Sequence, residues 1–135
     1  QHLINYRCGT GHSVSFVGNV HEGPHALNGR NTTLMRPGMI VTDEPGVYET
    51  DLVGIRIENE LVCVHKADNQ YGTFLGFEPI MFVPIATSPI VPGVLTKDEL
   101  DWLNNYHRQV FEKLAPHLND EERDWLAKKC AAIGC

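Results

Sequence analysis

No stretch of this 135-residue chain is apolar enough, for long enough, to cross a membrane as a helix. No secretory leader is visible. The chain opens on Gln1 rather than Met, however, so it reads as a fragment or a trimmed product, and the missing leader says little about a parent. Basic residues are scarce: 11 Lys and Arg stand against 17 Asp and Glu, a formal net charge of −6. That balance disfavours nucleic acid, whose phosphates need neutralising by lysine and arginine. Cysteine is sparse too. Cys8, Cys63, Cys130 and Cys135 form no C-x-x-C pair and are too few for the disulfide framework of a small secreted domain. They read as free thiols in a reducing, cytoplasmic compartment, with Cys130 and Cys135 near enough in sequence to pair on oxidation. Internal repeats and low-complexity segments are absent.

What is present fits a folded domain. A chain of this length can bury a real core, and its apolar content of 42% is ordinary. Residues 12–21 alternate loosely, with Val14, Phe16 and Val20 on one parity, and read as a strand. Residues 22–38, rich in Gly, Pro, Asn and Thr, read as a loop. Arg36-Pro37-Gly38 is a turn into the short apolar strand Met39-Ile40-Val41, which Pro45-Gly46 ends. Residues 53–64 alternate as a further strand, with Val53, Ile55 and Ile57 on one face and Arg56 and Glu58 on the other. Phe74 to Ile85 reads as another strand, and its prolines 79 and 84 confine it to an edge or its ends.

The tail changes period. Thr96-Lys97-Asp98-Glu99 is a capping box, and Leu100, Leu103, His107, Val110, Phe111 and Leu114 follow it at helical spacing until Pro116. Asn119 with Glu122 opens a second helix carrying Trp125, Leu126 and Ile133. A shared apolar core is expected to include Leu100, Leu103, Phe111 and Trp125. The order is sheet first and helices second, with a soft boundary near residues 87–92.

Three side chains carry chemistry: His12 in Gly9-Thr10-Gly11-His12, Glu44 in Thr42-Asp43-Glu44-Pro45-Gly46, and Glu58 in Gly54-Ile55-Arg56-Ile57-Glu58-Asn59. Each lies in a β-prone apolar stretch, where a carboxylate is tolerated mainly when it is paired or binds a metal. One imidazole and two carboxylates suit Mn, Zn, Co or Fe rather than a soft thiolate site. A plain ion pair between Arg56 and Glu58, which share a face, is the rival account. The remaining histidines, His2, His25, His65, His107 and His117, read as surface or packing residues.

These words, together with Asn19-Val20-His21-Glu22-Gly23-Pro24 and Met39-Ile40-Val41, resemble in order and spacing the C-terminal half of the catalytic domain of Xaa-Pro aminopeptidase (aminopeptidase P), a pita-bread metallopeptidase. Phe74-Leu75-Gly76-Phe77-Glu78-Pro79 and Asp101-Trp102-Leu103-Asn104 resemble the C-terminal extension of the longer members, which prolidase lacks. The resemblance implies an α+β class: the second half of a pita-bread fold with a curved antiparallel sheet over residues 1–86, and a helical extension over residues 87–135. It implies that His12, Glu44 and Glu58 are metal ligands, with Glu58 bridging two ions. Glu44 would sit beside the attacking water as general base, and His21 would line the substrate pocket and assist catalysis. Arg56 would orient the carboxylates. Two divalent metal ions are implied, manganese first, with zinc or cobalt as alternatives. The implied substrate is a peptide with proline in second position, and a homodimer through the C-terminal region is implied as well.

The family's five-ligand site also needs two aspartates on strands that precede His12, and Asp43, Asp51 and Asp68 do not stand in the required words. The chain therefore reads as half an active site, expected to bind metal weakly or not at all and to be inactive by itself. Cys8 stands where the family has a substrate-contacting histidine, and Ser13 and Ser15 stand where it often has glycines. Two other readings stay open: a pita-bread binding module without catalysis, and a prolidase-like dipeptidase.

Overall fold

A computed structural model describes residues 6–134, which divide into two compact units at Met81 and Phe82. His2 and Cys135 lie outside the described residues. The first unit is antiparallel. Strands β1 (Gly11–Ser13), β2 (Glu22–Leu27), β3 (Ile40–Asp43), β6 (Asn59–Asn69) and β7 (Gly72–Pro79) form one sheet in the order β2-β1-β3-β6-β7. Strands β4 (Gly46–Glu49) and β5 (Val53–Arg56) form a second, two-stranded sheet.

Several boundaries differ from the alternation read in sequence. The expected strand over 12–21 is only β1, because its pairing with β2 breaks between His12 and Ser13, where the register jumps from Ala26 to Glu22. The segment read as a loop from residue 22 contains β2. Gly23 and Pro24 masked it, since both are disfavoured in strands except at edges, and β2 is the edge of its sheet. The single strand expected over 53–64 is two, in different sheets: β5 pairs with β4, while β6 pairs with β3 and β7. The strand expected to run to Ile85 stops at Pro79, on the sheet edge that its prolines require.

Local chemistry accounts for the turns. Gly38 adopts φ +89 at the corner before β3, where Met39 N–H donates to Arg36 O at 3.1 Å. The β6–β7 hairpin closes with Asn69 opposite Gly72, and Asn69 Oδ1 accepts from Tyr71 N–H at 2.8 Å. In the sheet interior Val41 and Cys63 are fully buried.

The second unit holds α1 (Lys97–Leu114), a 3₁₀ turn (Ala115–His117) and α2 (Asp120–Lys129). Both capping boxes form: Thr96 with Glu99, and Asn119 with Glu122. Each satisfies orphan amides at a helix start reciprocally. Leu100, Leu103, Tyr106, His107 and Val110 line the buried face of α1. Tyr106, Val110 and Leu126 form the core, with Phe82, Ile85, Phe111, Leu114 and Leu118 against it. Two polar side chains of α1 satisfy the extended segment 83–85. Tyr106 Oη donates to Val83 O at 3.0 Å, and His107 Nε2 accepts from Ile85 N–H at 3.1 Å.

Two expectations fail here. Trp125 is 56% exposed rather than core, because its ring turns toward Lys129, which lies 5.7 Å from the ring centroid. Ile133 lies beyond α2, which ends at Lys129, and Asn104 holds it instead: the side-chain amide donates to Ile133 O and accepts from Ile133 N–H, both at 3.0 Å.

Candidate metal-binding site

Gly11 lets the site assemble. A Cβ there would lie 1.8 Å from Thr42 O, so only glycine allows β1 to approach β3 this closely. The approach sets His12 beside the end of β3. Glu44 N–H donates to Thr10 O at 2.6 Å, and His12 N–H donates to Thr42 Oγ1 at 2.9 Å.

Strand parity supplies the rest. Gly46 pairs with Arg56 across the β4–β5 ladder, and Glu44, Gly46 and Tyr48 project to one side, as do Gly54, Arg56 and Glu58. Gly46 has no side chain, and the Tyr48 ring takes the space a Cβ would occupy, with ring atoms 2.7–3.0 Å from that position. Arg56 Nε lies 3.2 Å from Glu58 Oε2, and Arg56 Nη1 lies 3.8 Å from Glu44 Oε2. His12 Nε2 lies 3.0 Å from Glu44 Oε1. The side chains of His12 and Glu44 are 19% and 16% exposed, so this pair is largely withdrawn from water.

The histidine geometry carries chemical information. His12 Nδ1 lies 2.9 Å from Ser13 O. A carbonyl can only accept, so Nδ1 carries the proton, and in the neutral ring Nε2 presents a lone pair. That lone pair faces a carboxylate oxygen. Two acceptors that close require a proton or a cation between them. A separation of 3.0 Å also suits two donors at a right angle on one cation with bonds of about 2.1 Å. The Nδ1–H to carbonyl bond is the orienting contact that histidine ligands usually make. His12 and Glu44 therefore fit a divalent metal. Glu58 does not close a third corner: its carboxylate is taken by Arg56, and among the described residues no three of His, Cys, Asp and Glu come together to hold an ion.

His21 stands over the pair, its ring centroid 4.1 Å from that of His12. Both rings line an open cavity of about 300 Å³ with Glu22, Pro24, His25 and Asn31. Cys8 lies alongside: its thiol donates to Gly46 O at 3.0 Å. Asp68 is far from this chemistry in its bonding, held at the β6–β7 hairpin by His65 at 2.8 Å and Thr73 at 2.7 Å. Cys8, Cys63 and Cys130 are free thiols. His25 and His107 are buried, His65 and His117 exposed.

Two participants escaped sequence reading. Thr42 bridges the pair, and the signal for it was parity, since residues 42 and 44 share a face. Gly46 mattered for the side chain it lacks.

Comparison with known proteins identifies what the chain is similar to. Residues 2–65 match the metallopeptidase family M24, and residues 73–133 match the C-terminal region of peptidase M24. The chain is 46% identical to aminopeptidase P2 of Arabidopsis thaliana over 130 residues, 91% of this chain and 18% of that protein. It is 41% identical to a probable Xaa-Pro aminopeptidase P of Coprinopsis cinerea, covering 96% of this chain and 22% of that protein. Among solved structures it matches X-prolyl aminopeptidase from Caenorhabditis elegans, described as a cytosolic enzyme with a di-nuclear active site. That match has a TM-score of 0.83 and 38% identity, and it covers 93% of this chain and 21% of that one. The chain thus spans about a fifth of the length of these relatives.

Proposed function

The chain belongs to metallopeptidase family M24, with the second half of a pita-bread fold and its helical extension, and on that premise we propose that it serves, within a longer chain, as part of a dinuclear Xaa-Pro aminopeptidase. The observation that carries the proposal is the approach of His12 Nε2 to Glu44 Oε1 at 3.0 Å, with His12 Nδ1 held by Ser13 O at 2.9 Å. Two relatives named aminopeptidase P or Xaa-Pro aminopeptidase, and a structural relative described as having a di-nuclear active site, support the same reading.

In this proposal His12, Glu44 and Glu58 hold two divalent cations, manganese first, together with two aspartates supplied by preceding strands of the longer protein. When bound, such a pair activates a water and polarises the scissile carbonyl. Glu44 accepts a proton from the attacking water. Arg56, 3.2 Å from Glu58 and 3.8 Å from Glu44, would orient the two carboxylates that would hold the cations. His21, over the His12 ring, donates a hydrogen bond to the oxygen on which negative charge develops. Cys8 borders the pocket beside Gly46 and adjusts substrate preference. The helical unit joins two copies, and the enzyme works in the cytoplasm.

The 135-residue chain alone is expected to be inactive, because it lacks the aspartate pair. An Xaa-Pro-Xaa tripeptide assay with Mn²⁺, Co²⁺ or Zn²⁺, run on this chain and the longer protein side by side, tests this. Release of the first residue only by the longer protein is expected; release by the short chain at a similar rate would defeat the half-site argument. The rival, a non-catalytic binding module, is favoured by the Arg56–Glu58 pair at 3.2 Å and predicts a longer protein purified without metal.

A further inference from the structure

One buried hydroxyl joins the two candidate ligands, and the mechanism above makes no use of it. Thr42 is 2% exposed in β3, and its Oγ1 touches both partners. It accepts the His12 N–H at 2.9 Å. It lies 3.0 Å from Glu44 Oε1 and 3.5 Å from His12 O. A hydroxyl has one proton to give. The shorter and charged acceptor takes it, since a bond at 3.5 Å to a neutral carbonyl is weak and one to a carboxylate is the stronger kind. Thr42 therefore receives from the backbone of one ligand and donates to the carboxylate of the other.

The choice of oxygen matters. Thr42 donates to Oε1, the same oxygen that faces His12 Nε2 at 3.0 Å, while Oε2 is left to Arg56 at 3.8 Å. A carboxylate whose Oε1 is fixed by one donor cannot rotate freely, so its remaining Oε1 lone pair stays turned toward His12. The geometry points to Thr42 as a positioning residue that locks Glu44 to His12 and so sets the bite of the metal pair; this rests on the metallopeptidase reading above. Valine matches threonine in shape and strand preference but lacks the hydroxyl, whereas serine keeps the hydroxyl.

The test is carried out on the full-length protein bearing this segment. Mn²⁺ affinity is measured by calorimetry, and kcat and KM with an Xaa-Pro-Xaa tripeptide, for wild type, Thr42→Val and Thr42→Ser. Thr42→Val is expected to weaken Mn²⁺ binding about 10- to 100-fold, the range for lost supports of metal ligands. Its kcat should fall with KM little changed, and Thr42→Ser should recover most of both. Amide hydrogen exchange of His12 in the metal-free protein gives a readout independent of activity: protection is expected in wild type and Thr42→Ser, and its loss in Thr42→Val. The proposal is overturned by unchanged Mn²⁺ affinity in Thr42→Val, by Thr42→Ser as impaired as Thr42→Val, or by a His12 amide unprotected in wild type. That last measurement needs no variant, so it decides even if Thr42→Val does not fold. A wild type that binds no Mn²⁺ would sink the metallopeptidase reading, while the exchange result would still judge the Thr42 link.

Discussion

The sheet unit and the helical unit treat their apolar side chains differently. Around α1 and α2, Tyr106, Val110 and Leu126 are buried together and six further side chains, among them Phe82 and Ile85, close over them. In the sheet unit, Val47, Val53, Ile55 and Ile57 are each 41–53% exposed along one face of β4, β5 and the residue that follows, while the opposite face carries Glu44, Arg56 and Glu58. The helical unit has a core of its own. The sheet unit devotes one face to polar chemistry and leaves the other half covered. A scaffold that presents a site need not be the part that stabilises the chain, and substitutions in the two units should separate accordingly.

The sharpest break is expected at Glu58. In the full-length protein, Glu58→Gln should lower kcat by about 10³-fold or more, roughly 4 kcal/mol in the barrier, if Glu58 is the metal ligand proposed above. Cys8→Ala should cost no more than about tenfold, since its thiol donates to the Gly46 carbonyl and is not among the proposed metal ligands. Steady-state kinetics would show this, and a Glu58→Gln enzyme with wild-type kcat would remove Glu58 from the site. In the metal-free protein the melting temperature should barely move in either variant.

The converse belongs to the helical unit. Leu126 is 2% exposed at the centre of the core, so Leu126→Ala should cost about 2–5 kcal/mol of stability by lost transfer energy and a residual cavity. Denaturant titration measures the loss. Activity per folded molecule should stay intact, and a selective fall in kcat at full folding would blur the division between units.

The smallest effect concerns pH. Burial holds the His107 imidazole below the ordinary histidine range, and protonation at Nε2 would displace the Ile85 N–H it accepts. Unfolded His107 takes its proton near pH 6.5, while the folded form resists until lower pH. Between those values the unfolded state binds more protons, so this contribution to stability is intact above about pH 6.5 and is lost as pH falls toward the folded value. Melting temperatures at about pH 5 and pH 7.5 should differ less in His107→Gln, which accepts a hydrogen bond without titrating. An equal pH dependence in both proteins would place the sensitive group elsewhere.

The units also differ in how plainly they could be read. Both helices were visible because their signals are local: Thr96 with Glu99, Asn119 with Glu122, and the spacing of Leu100, Leu103, His107 and Val110. Strand limits were not. The break in register after His12, the hidden β2 and the division at Ile57–Glu58 depend on which strand lies alongside, and alternation in one segment does not report its neighbour. The position of Glu58 beside Arg56 followed from parity alone. Thr42 stayed unseen because a threonine in a strand is expected on propensity, and only the approach of β1 over Gly11 gives its hydroxyl two partners.

Asn104 carries one more consequence. Its amide offers a donor and an acceptor in the same sense as a peptide unit, and Ile133 answers both at 3.0 Å. The side chain thus serves as a single rung of an antiparallel ladder, grafted onto a helix that has no ladder of its own. The backbone after α2 is moored at one residue by a pair of bonds that break together. An aspartate in that place could still accept from the Ile133 amide but could no longer donate to its carbonyl, so the mooring is a property of the uncharged amide and not of polarity in general.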